Sequence, residues 1–408
     1  MDTSEDPITL DILLALQLRT ADDALLPRLK TFECEGATEM FIPFIPLFLS
    51  PTTTDIEIGF TTSLPALTVA SIVSKLPTLC PDLESIGLEN LPRDSIITEA
   101  VSKMVLDCNQ DTLRQFFAES PLTVEAREVV YRLPELTHLW SFIQEGTSLP
   151  PVALPNLIMI DIEYGDHLDW LQGFRGAVLG GLERAVFDCE SERIGDFLGA
   201  FESVALTTSI PATLSHFNFC TSRSWNPNYR SLLPFTQLKD LIIEFSCDGN
   251  CSSRVDDNIV TDLAQAMPKL EILQLGGPPC KTPTGVTVKG LVTLACGCPH
   301  LSRLCIHFEA TSLVEAATDA GPSSEGDDET VDQREDCALT DLEVGEIPIR
   351  GGSAFKATLA LLQIFPHILN VKYIYRGWRA VAESIKDYRR VGALVNRARR
   401  GNRNCNHV

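Results

Sequence analysis

Cysteines in close pairs are the residues of this sequence best suited to chemistry, because neighbouring thiolates can hold a metal ion. Two such pairs occur, in Cys247-Asp248-Gly249-Asn250-Cys251 and in Cys296-Gly297-Cys298. Their spacings differ from the Cys-x-x-Cys of usual zinc sites. Cys298 also precedes a proline in a repeated phrase described below, where a small apolar core residue is expected. We therefore predict no metal site.

Common motifs for catalysis are missing as well. The sequence has no Gly-x-x-x-x-Gly-Lys-Ser/Thr phosphate loop, no Gly-x-Ser-x-Gly elbow and no His-Glu-x-x-His zinc helix. The four glycines between 173 and 181 do not have the spacing of a dinucleotide fingerprint. His300 and His367 both follow a proline in similar phrases, which favours turn residues over catalysts. We predict that the chain is not an enzyme and has no cofactor.

The net charge of the chain limits the classes of partner that it can bind. The formal charge of −22 argues against general nucleic-acid binding, which needs a basic surface. It favours a basic protein partner, or it serves solubility alone. The acidic start Met1–Asp6 has the wrong sign for a signal peptide, and the most apolar stretch, Met40–Leu49, is about half a membrane span and contains two prolines. With an odd number of scattered cysteines, 13 in all, these features predict a cytoplasmic or nuclear protein with no membrane contact.

A short phrase recurs along the chain and must organise its elements. Its clearest copies begin at Pro268 and Pro299, and both have the form Pro-x-Leu-x-x-Leu-x-(Leu/Ile). The end of the phrase alternates apolar and polar residues, as a half-buried strand does. The proline ends a preceding segment with helical spacing of apolar residues. Each unit is thus a helix, a stop and a strand, and such units must stack to bury their apolar faces.

Weaker copies extend this pattern to thirteen predicted strands, with steps of 21 to 38 residues. An all-helical repeat of the HEAT type is the alternative, but the proline before each strand disfavours it. The copies begin at Leu29, Thr53, Leu83, Leu113, Leu136, Leu157, Leu182, Leu214, Leu238, Leu270, Leu301, Leu339 and Ile368.

The pattern resembles the leucine-rich repeat, whose period covers this step. The resemblance implies an α/β fold, an irregular horseshoe-shaped solenoid of stacked strand–helix units with helical caps. The usual Asn or Cys after the strand is mostly absent, as at Leu91 and Pro278. The irregular repeat pattern is similar to the divergent leucine-rich repeats of fungal F-box proteins, in which an N-terminal F-box binds a ubiquitin-ligase adaptor. Residues 1–25 contain no Leu-Pro-x-Glu opening of such a box.

The organisation predicted from these features has three parts. Residues 1–25 form an N-terminal cap with a helix at 8–16, residues 26–376 form the solenoid, and residues 377–408 form a C-terminal basic helix and tail. A disordered acidic insertion is predicted at 309–337, either a tolerated loop or a docking or phosphorylation segment with Ser323 and Ser324. Residues 221–230 are predicted to be a polar loop with exposed aromatics, an inter-repeat loop or a partner contact. The C-terminal helix is predicted to cap the solenoid and to end in a frayed basic tail, with a nuclear localisation signal as the alternative for the Arg-rich tail.

Function follows from the predicted surface. In a leucine-rich solenoid, residues between the buried strand positions point outward from the concave face. We expect this face to recognise a protein, and the resemblance implies a substrate-recognition subunit of an SCF-type ubiquitin ligase. A scaffold without a ligase link is the alternative. The predicted contact residues are Met159, Asp161, His216, Asn218, Asp240, Glu244, Gln274, Arg303, His307, Asp341, Glu343, Asn370 and Lys372.

Overall fold

A computed structural model of the chain describes most of its residues. The described residues are 14–15, 24–144, 149–164, 168–179, 181–189, 196–208, 210–222, 225, 227–245, 255–276, 285–319, 337–344, 353–373 and 378–390. Contacts divide the chain into two compact units. Unit 1 comprises residues 1–188 and 203–210, and unit 2 comprises residues 189–202 and 211–408.

Unit 1 contains a sheet whose strands follow the chain in linear order, β1-β2-β3-β4-β5-β7-β9. The pairings from β1 through β7 are all parallel. A two-stranded parallel pair, β6 with β8, lies outside this sheet. The strands are β1 Thr31–Ala37, β2 Asp55–Phe60, β3 Ser85–Glu89, β4 Gln115–Ala118, β5 His138–Ile143, β6 Ala153–Leu154, β7 Met159–Tyr164, β8 Val178–Leu179 and β9 Arg184–Cys189.

Short helices make most of the connections in unit 1, as parallel strands require. Side chains start two of the helices: Asp94 accepts from the Ile96 N–H and Thr123 from the Ala126 N–H. The described part of the connection after β7 contains a 3₁₀ segment, Asp169–Phe174, where other connections have an α-helix. The helices are α1 Ile45–Phe48, α2 Ala66–Val73, α3 Leu76–Leu79, α4 Ser95–Asp107 and α5 Val124–Val130, with a further 3₁₀ turn at Ile42–Phe44.

Unit 2 repeats the architecture with longer helices. Its strands β10 to β15 lie in chain order, and every pairing is parallel. The strands are β10 His216–Thr221, β11 Asp240–Phe245, β12 Ile272–Leu275, β13 Arg303–Ile306, β14 Asp341–Val344 and β15 Asn370–Tyr373. The helices are α6 Phe197–Ala205, α7 Ile210–Thr213, α8 Asp257–Ala266, α9 Val288–Gly297, α10 Ala310–Asp319, α11 Ala354–Ile364 and α12 at 378–390, with a 3₁₀ turn at Tyr229–Leu232.

The repeated phrase sets the backbone pairing. In both units, the carbonyl one residue after the leading Leu accepts two N–H groups from the next copy. The Glu84 carbonyl accepts from Arg114 and Gln115 at 2.8 and 2.9 Å, and the Lys239 carbonyl accepts from Glu271 and Ile272 at 2.7 and 3.0 Å. The same spacing in the sequence therefore gives the same register in space.

All thirteen predicted strands are present, so the α/β class is confirmed and the all-helical alternative is wrong. The residues three and five places after each leading residue are buried in all the strands except at two positions. Cys34 on β1 is half-buried, and Tyr373 on β15 is 37% exposed. Both strands lie at the outer end of their unit's strand order, where a neighbouring layer covers one side only.

Two predictions for the connections are wrong. Residues 310–319 of the predicted disordered insertion form α10, because Ala310 and Leu313 are apolar at helical spacing and are buried against α11. Trp225 and Tyr229 of the predicted polar loop are buried as well, and the Trp225 ring packs on Phe219 with centroids 4.5 Å apart. The acidic and polar neighbours dominate the average composition of both segments and mask these apolar anchors.

The predicted caps are described only in part. Residues 14–15 of the N-terminal segment are helical and exposed, and the rest of the predicted helix at 8–16 lies outside the described residues. Residues 378–390 are helical, with Trp378 buried edge-on against Phe308. Residues 320–336, with Ser323 and Ser324, and the tail from 391 lie outside the described residues. Within the described residues, no helix has the length and apolar character needed to cross a membrane.

Candidate functional site

The outward sheet face of unit 1 carries a row of side chains set by the strand register. The cross-strand partners run Glu57 to Gly87, Gly87 to Phe117, Phe117 to Trp140, and Trp140 to Asp161. Each of these residues alternates with the buried positions of its strand, so all five point away from the core. We call this set the outward row.

Gly87 interrupts the outward row and leaves a hollow. A cavity of about 270 Å³ lies over this glycine, and we call it the Gly87 notch. A Cβ added at Gly87 would lie 3.2 Å from Cγ of Glu57, which places the Glu57 side chain at the edge of the hollow. The groups around the notch that matter for binding are Glu57, Glu89, Phe117, Trp140, Asp161 and His138.

Two aromatic rings form one wall of the notch. Phe117 and Trp140 have centroids 3.8 Å apart and planes tilted by 33°. Both side chains are half-buried, whereas Trp170, Trp225 and Trp378 are buried. The Trp140 indole lies beside the Asp161 carboxylate and lowers its pKa by acting as a hydrogen-bond donor. The wall therefore offers a π surface whose orientation is held by the sheet.

The carboxylates around the notch repel one another. Burial raises the pKa of Glu57, and the charges of Glu33, Glu89 and Glu35 raise it further. Among the described residues, the ion pairs involve none of these four glutamates. Each added proton or cation would relieve this repulsion, so the site favours positive charge.

Asp161 is the carboxyl most affected by its surroundings. Burial raises its pKa to about 6, and Asp188 and Glu163 act in the same direction. Arg184 and the hydrogen bond from Trp140 oppose the shift. An acid held near neutral pKa beside an aromatic ring can report, and respond to, the arrival of a cation.

A neighbouring pair on the same strands already contains a cation. Phe142 on β5 faces Glu163 on β7, two residues beyond Trp140 and Asp161. The guanidinium of Arg93 lies 5.4 Å from the centroid of the Phe142 ring and 3.2 Å from a carboxylate oxygen of Glu163. The chain itself thus joins one aromatic–acid pair of this face with an arginine.

The outward face of unit 2 differs, because its polar residues pair with each other. Contacts join His216 to Asp240 at 3.3 Å and Arg303 to Glu343 at 3.6 Å. The Gln274 amide donates to Glu244 at 2.6 Å, and the Asn370 amide donates to Asp341 at 3.0 Å. These pairs satisfy much of the polar surface from within unit 2.

The structure places the predicted contact residues in both units. Met159 and Asp161 lie on the outward face of unit 1. The other eleven belong to unit 2, where Gln274 is 9% exposed and buried against its neighbours. Lys372 faces Glu343 across β14 and β15. His307 follows β13, and Asn218 lies next to Cys220, whose thiol donates to the Asn218 side chain at 3.4 Å.

Sequence reasoning missed the most distinctive part of the site. Phe117, Trp140, Glu57 and Gly87 all lie four residues after a leading residue, the position used to select Asp161. That position was available for every copy of the phrase. Their proximity depends on the parallel register, which the sequence does not state.

Comparisons with known proteins add no family: no protein-family model matches the chain and no curated protein matches it. None of the described cysteines is in a disulfide, and the described residues contain no group of three side chains placed to hold a metal ion. The site must therefore be interpreted from its own geometry.

Proposed function

We propose that this chain is a leucine-rich-repeat protein that binds a basic protein partner through the outward face of unit 1. The observation that carries the proposal is the outward row, in which two half-buried aromatic rings lie between Asp161 and a group of mutually repelling glutamates around Glu57. Half-buried aromatic residues contribute most strongly to protein interfaces. Complementary charge guides the approach of the partner.

The proposal assigns recognition rather than a reaction to this face. Its outward row draws one residue from each of five neighbouring strands, which suits many contacts with an extended surface. We propose the cytosol or the nucleus as the compartment. The partner is either a substrate presented to an SCF-type ubiquitin ligase or a component held by a scaffold without a ligase link.

Affinity purification with quantitative mass spectrometry tests the proposal. The tagged chain is expressed in cells of its source beside a variant with Glu57→Lys and Trp140→Ala. The matched control carries Glu99→Lys and Phe355→Ala, which alter an exposed glutamate on α4 and an exposed aromatic on α11. Circular dichroism establishes that all three chains fold.

We expect basic partners to be depleted about tenfold in the face variant and retained by the control, because the variant removes an aromatic anchor and reverses a charge. Equal recovery from all three chains would refute the proposal. Recovery of the ligase adaptor and cullin would favour the substrate-recognition role. Their absence, when a known F-box protein recovers them in parallel, would favour the scaffold.

A further inference from the structure

We propose that the Gly87 notch binds a single arginine side chain of the partner, with the guanidinium between Glu57 and the wall of Phe117 and Trp140. This inference rests on the proposed function and specifies which side chain the outward face recognises. It stands on the cavity, the aromatic wall and a matching arrangement elsewhere in unit 1.

The volume of the Gly87 notch suits a single side chain. The notch encloses about 270 Å³, which is slightly below the range of about 300–1,000 Å³ typical of small-molecule sites. It is open to the outward face, since Glu57 and Gln115 are exposed and the aromatic wall is half-buried. These dimensions suit one long side chain that enters from a partner, and they leave little room for a larger ligand.

The aromatic and acidic groups of the notch match the chemistry of a guanidinium. The wall of Phe117 and Trp140 offers a flat surface, and carboxylates lie on both sides of it in the row: Glu57 before Gly87 and Asp161 after Trp140. A guanidinium is planar, stacks on aromatic faces and forms two hydrogen bonds to a carboxylate at once. Lysine shares the charge but offers neither the plane nor the paired donors.

A further argument is the arginine that the chain already holds on this face. Trp140–Asp161 and Phe142–Glu163 are the same combination, an aromatic residue on β5 opposite an acid on β7. Arg93 occupies the second combination, over the ring and against the acid. The first combination already has Arg184 near its acid. The Gly87 notch also sets an acid, Glu57, against an aromatic ring, Phe117, and the charges that act on Glu57 are those of other glutamates. The notch therefore offers the same chemistry to an arginine from outside.

Fluorine NMR of the full chain labelled with 5-fluorotryptophan tests the inference directly. The chain has four tryptophans, of which Trp140 alone lines the notch, and Trp140→Phe assigns its resonance. The probe is N-acetyl-arginine amide, titrated at constant ionic strength. The matched probes are the citrulline amide, which has nearly the same shape without the charge, and the lysine amide.

We expect the Trp140 resonance to shift saturably with arginine while the other three resonances stay in place. Citrulline should give no saturable shift, and lysine should bind several-fold more weakly because it cannot stack. Glu57→Gln should weaken arginine binding about threefold to tenfold, whereas Glu99→Gln should not change it. An absent shift, or equal responses to arginine and citrulline, would overturn the inference, and equal binding of lysine would overturn the choice of arginine.

The outcome is separable from that of the proposed function. If the NMR test fails while the purified partners still depend on the outward face, the face binds a protein without an arginine in the notch. If partners bind independently of the face, the proposed function fails, whatever the notch does with a small probe.

Discussion

Asp161 is the residue of the site whose ionisation the fold opposes. Burial raises its pKa to about 6, whereas an unfolded aspartate titrates near about 3.9. The native state therefore binds more protons than the unfolded state between about pH 4 and pH 6. Since proton binding favours the native state there, the contribution of Asp161 to stability is fully present below this window and is lost as the pH rises through it.

Asp161→Asn is expected to remove this pH dependence. The free energy of unfolding at pH 7 should rise by about 1 kcal/mol, allowing for solvent screening, and asparagine still accepts the hydrogen bond from Trp140. Urea unfolding between about pH 4.5 and pH 7 measures the effect. The control is Asp341→Asn. Hydrogen bonds from Thr340 and Asn370 lower the pKa of Asp341, so this variant should keep the wild-type dependence of the unfolding free energy on pH between about pH 4.5 and pH 7. A wild-type slope in Asp161→Asn would contradict the assignment.

The protonation of groups around the notch also affects its affinity for arginine. The titratable groups that surround it are Glu57, Glu89 and His138, with Arg184, Glu163 and Asp188 beside Asp161. Protonation of any of these carboxylates, or of the imidazole, adds positive charge near the incoming guanidinium. Arginine affinity should consequently fall as the solution is acidified from about pH 7 to about pH 5.

At the scale of elements, side chains from one repeat fasten the start of the next helix. Asp257 in the first turn of α8 accepts hydrogen bonds from the Thr287 N–H at 2.8 Å, the Thr287 hydroxyl at 2.6 Å and the Gly290 N–H at 3.1 Å. Residue 290 must be small, because an added Cβ there would clash with the Asp257 carboxylate. This carboxylate therefore satisfies donors at the beginning of α9 that have no partner within the helix.

Asp257→Ala should lower the free energy of unfolding by about 2–3 kcal/mol, since it leaves these part-buried donors without their acceptor. Asp262→Ala on the same helix is the matched control. Its partner Arg230 lies 3.0 Å away in an exposed pair, so the cost should stay below about 1 kcal/mol. Urea unfolding of both variants measures the difference, and equal costs would show that Asp257 does not fasten α9.

How far the sequence predicts these elements depends on how local their signals are. Most strands are specified by a leading Leu and two apolar residues within six positions, as at Leu270, Leu273 and Leu275, so weak copies such as that at Leu182 can be recognised. Helix α10 was missed because two buried residues, Ala310 and Leu313, anchor a segment next to a long acidic run. Trp225 was missed because its packing on Phe219 is a tertiary contact.

The functional site depends on residues that are even farther apart in the sequence than those that define the elements. Met159 and Asp161 were predicted, but the aromatic wall comes from Phe117 and Trp140 on two different strands, more than twenty residues apart in sequence. The hollow exists because a glycine falls between Glu57 and Phe117 in the register. Such a coincidence of side chains becomes visible only when the pairing of every strand is known.

At the scale of the molecule, the acidic residues behind the net charge of −22 have different neighbours on the outward faces of the two units. On the outward face of unit 2, acids such as Asp240 and Glu343 have basic neighbours within 4 Å. On the outward face of unit 1, Glu33, Glu35, Glu57 and Glu89 instead raise one another's electrostatic energy. A basic partner gains more by covering the face of unit 1, and its binding should weaken as salt screens the charges.

Hydroxyl-radical footprinting of the purified partner complex, read by mass spectrometry, tests the central claim most directly, because it locates the partner without requiring its identity. Relative to the isolated chain, we predict strong protection of Phe117, Trp140 and Met159 on the outward face of unit 1. Met40 and Phe355, which are 61% and 66% exposed, are expected to oxidise equally in both samples. Protection confined to other residues, with Trp140 oxidised as fast in the complex as in the isolated chain, would contradict the assignment of this face to partner binding.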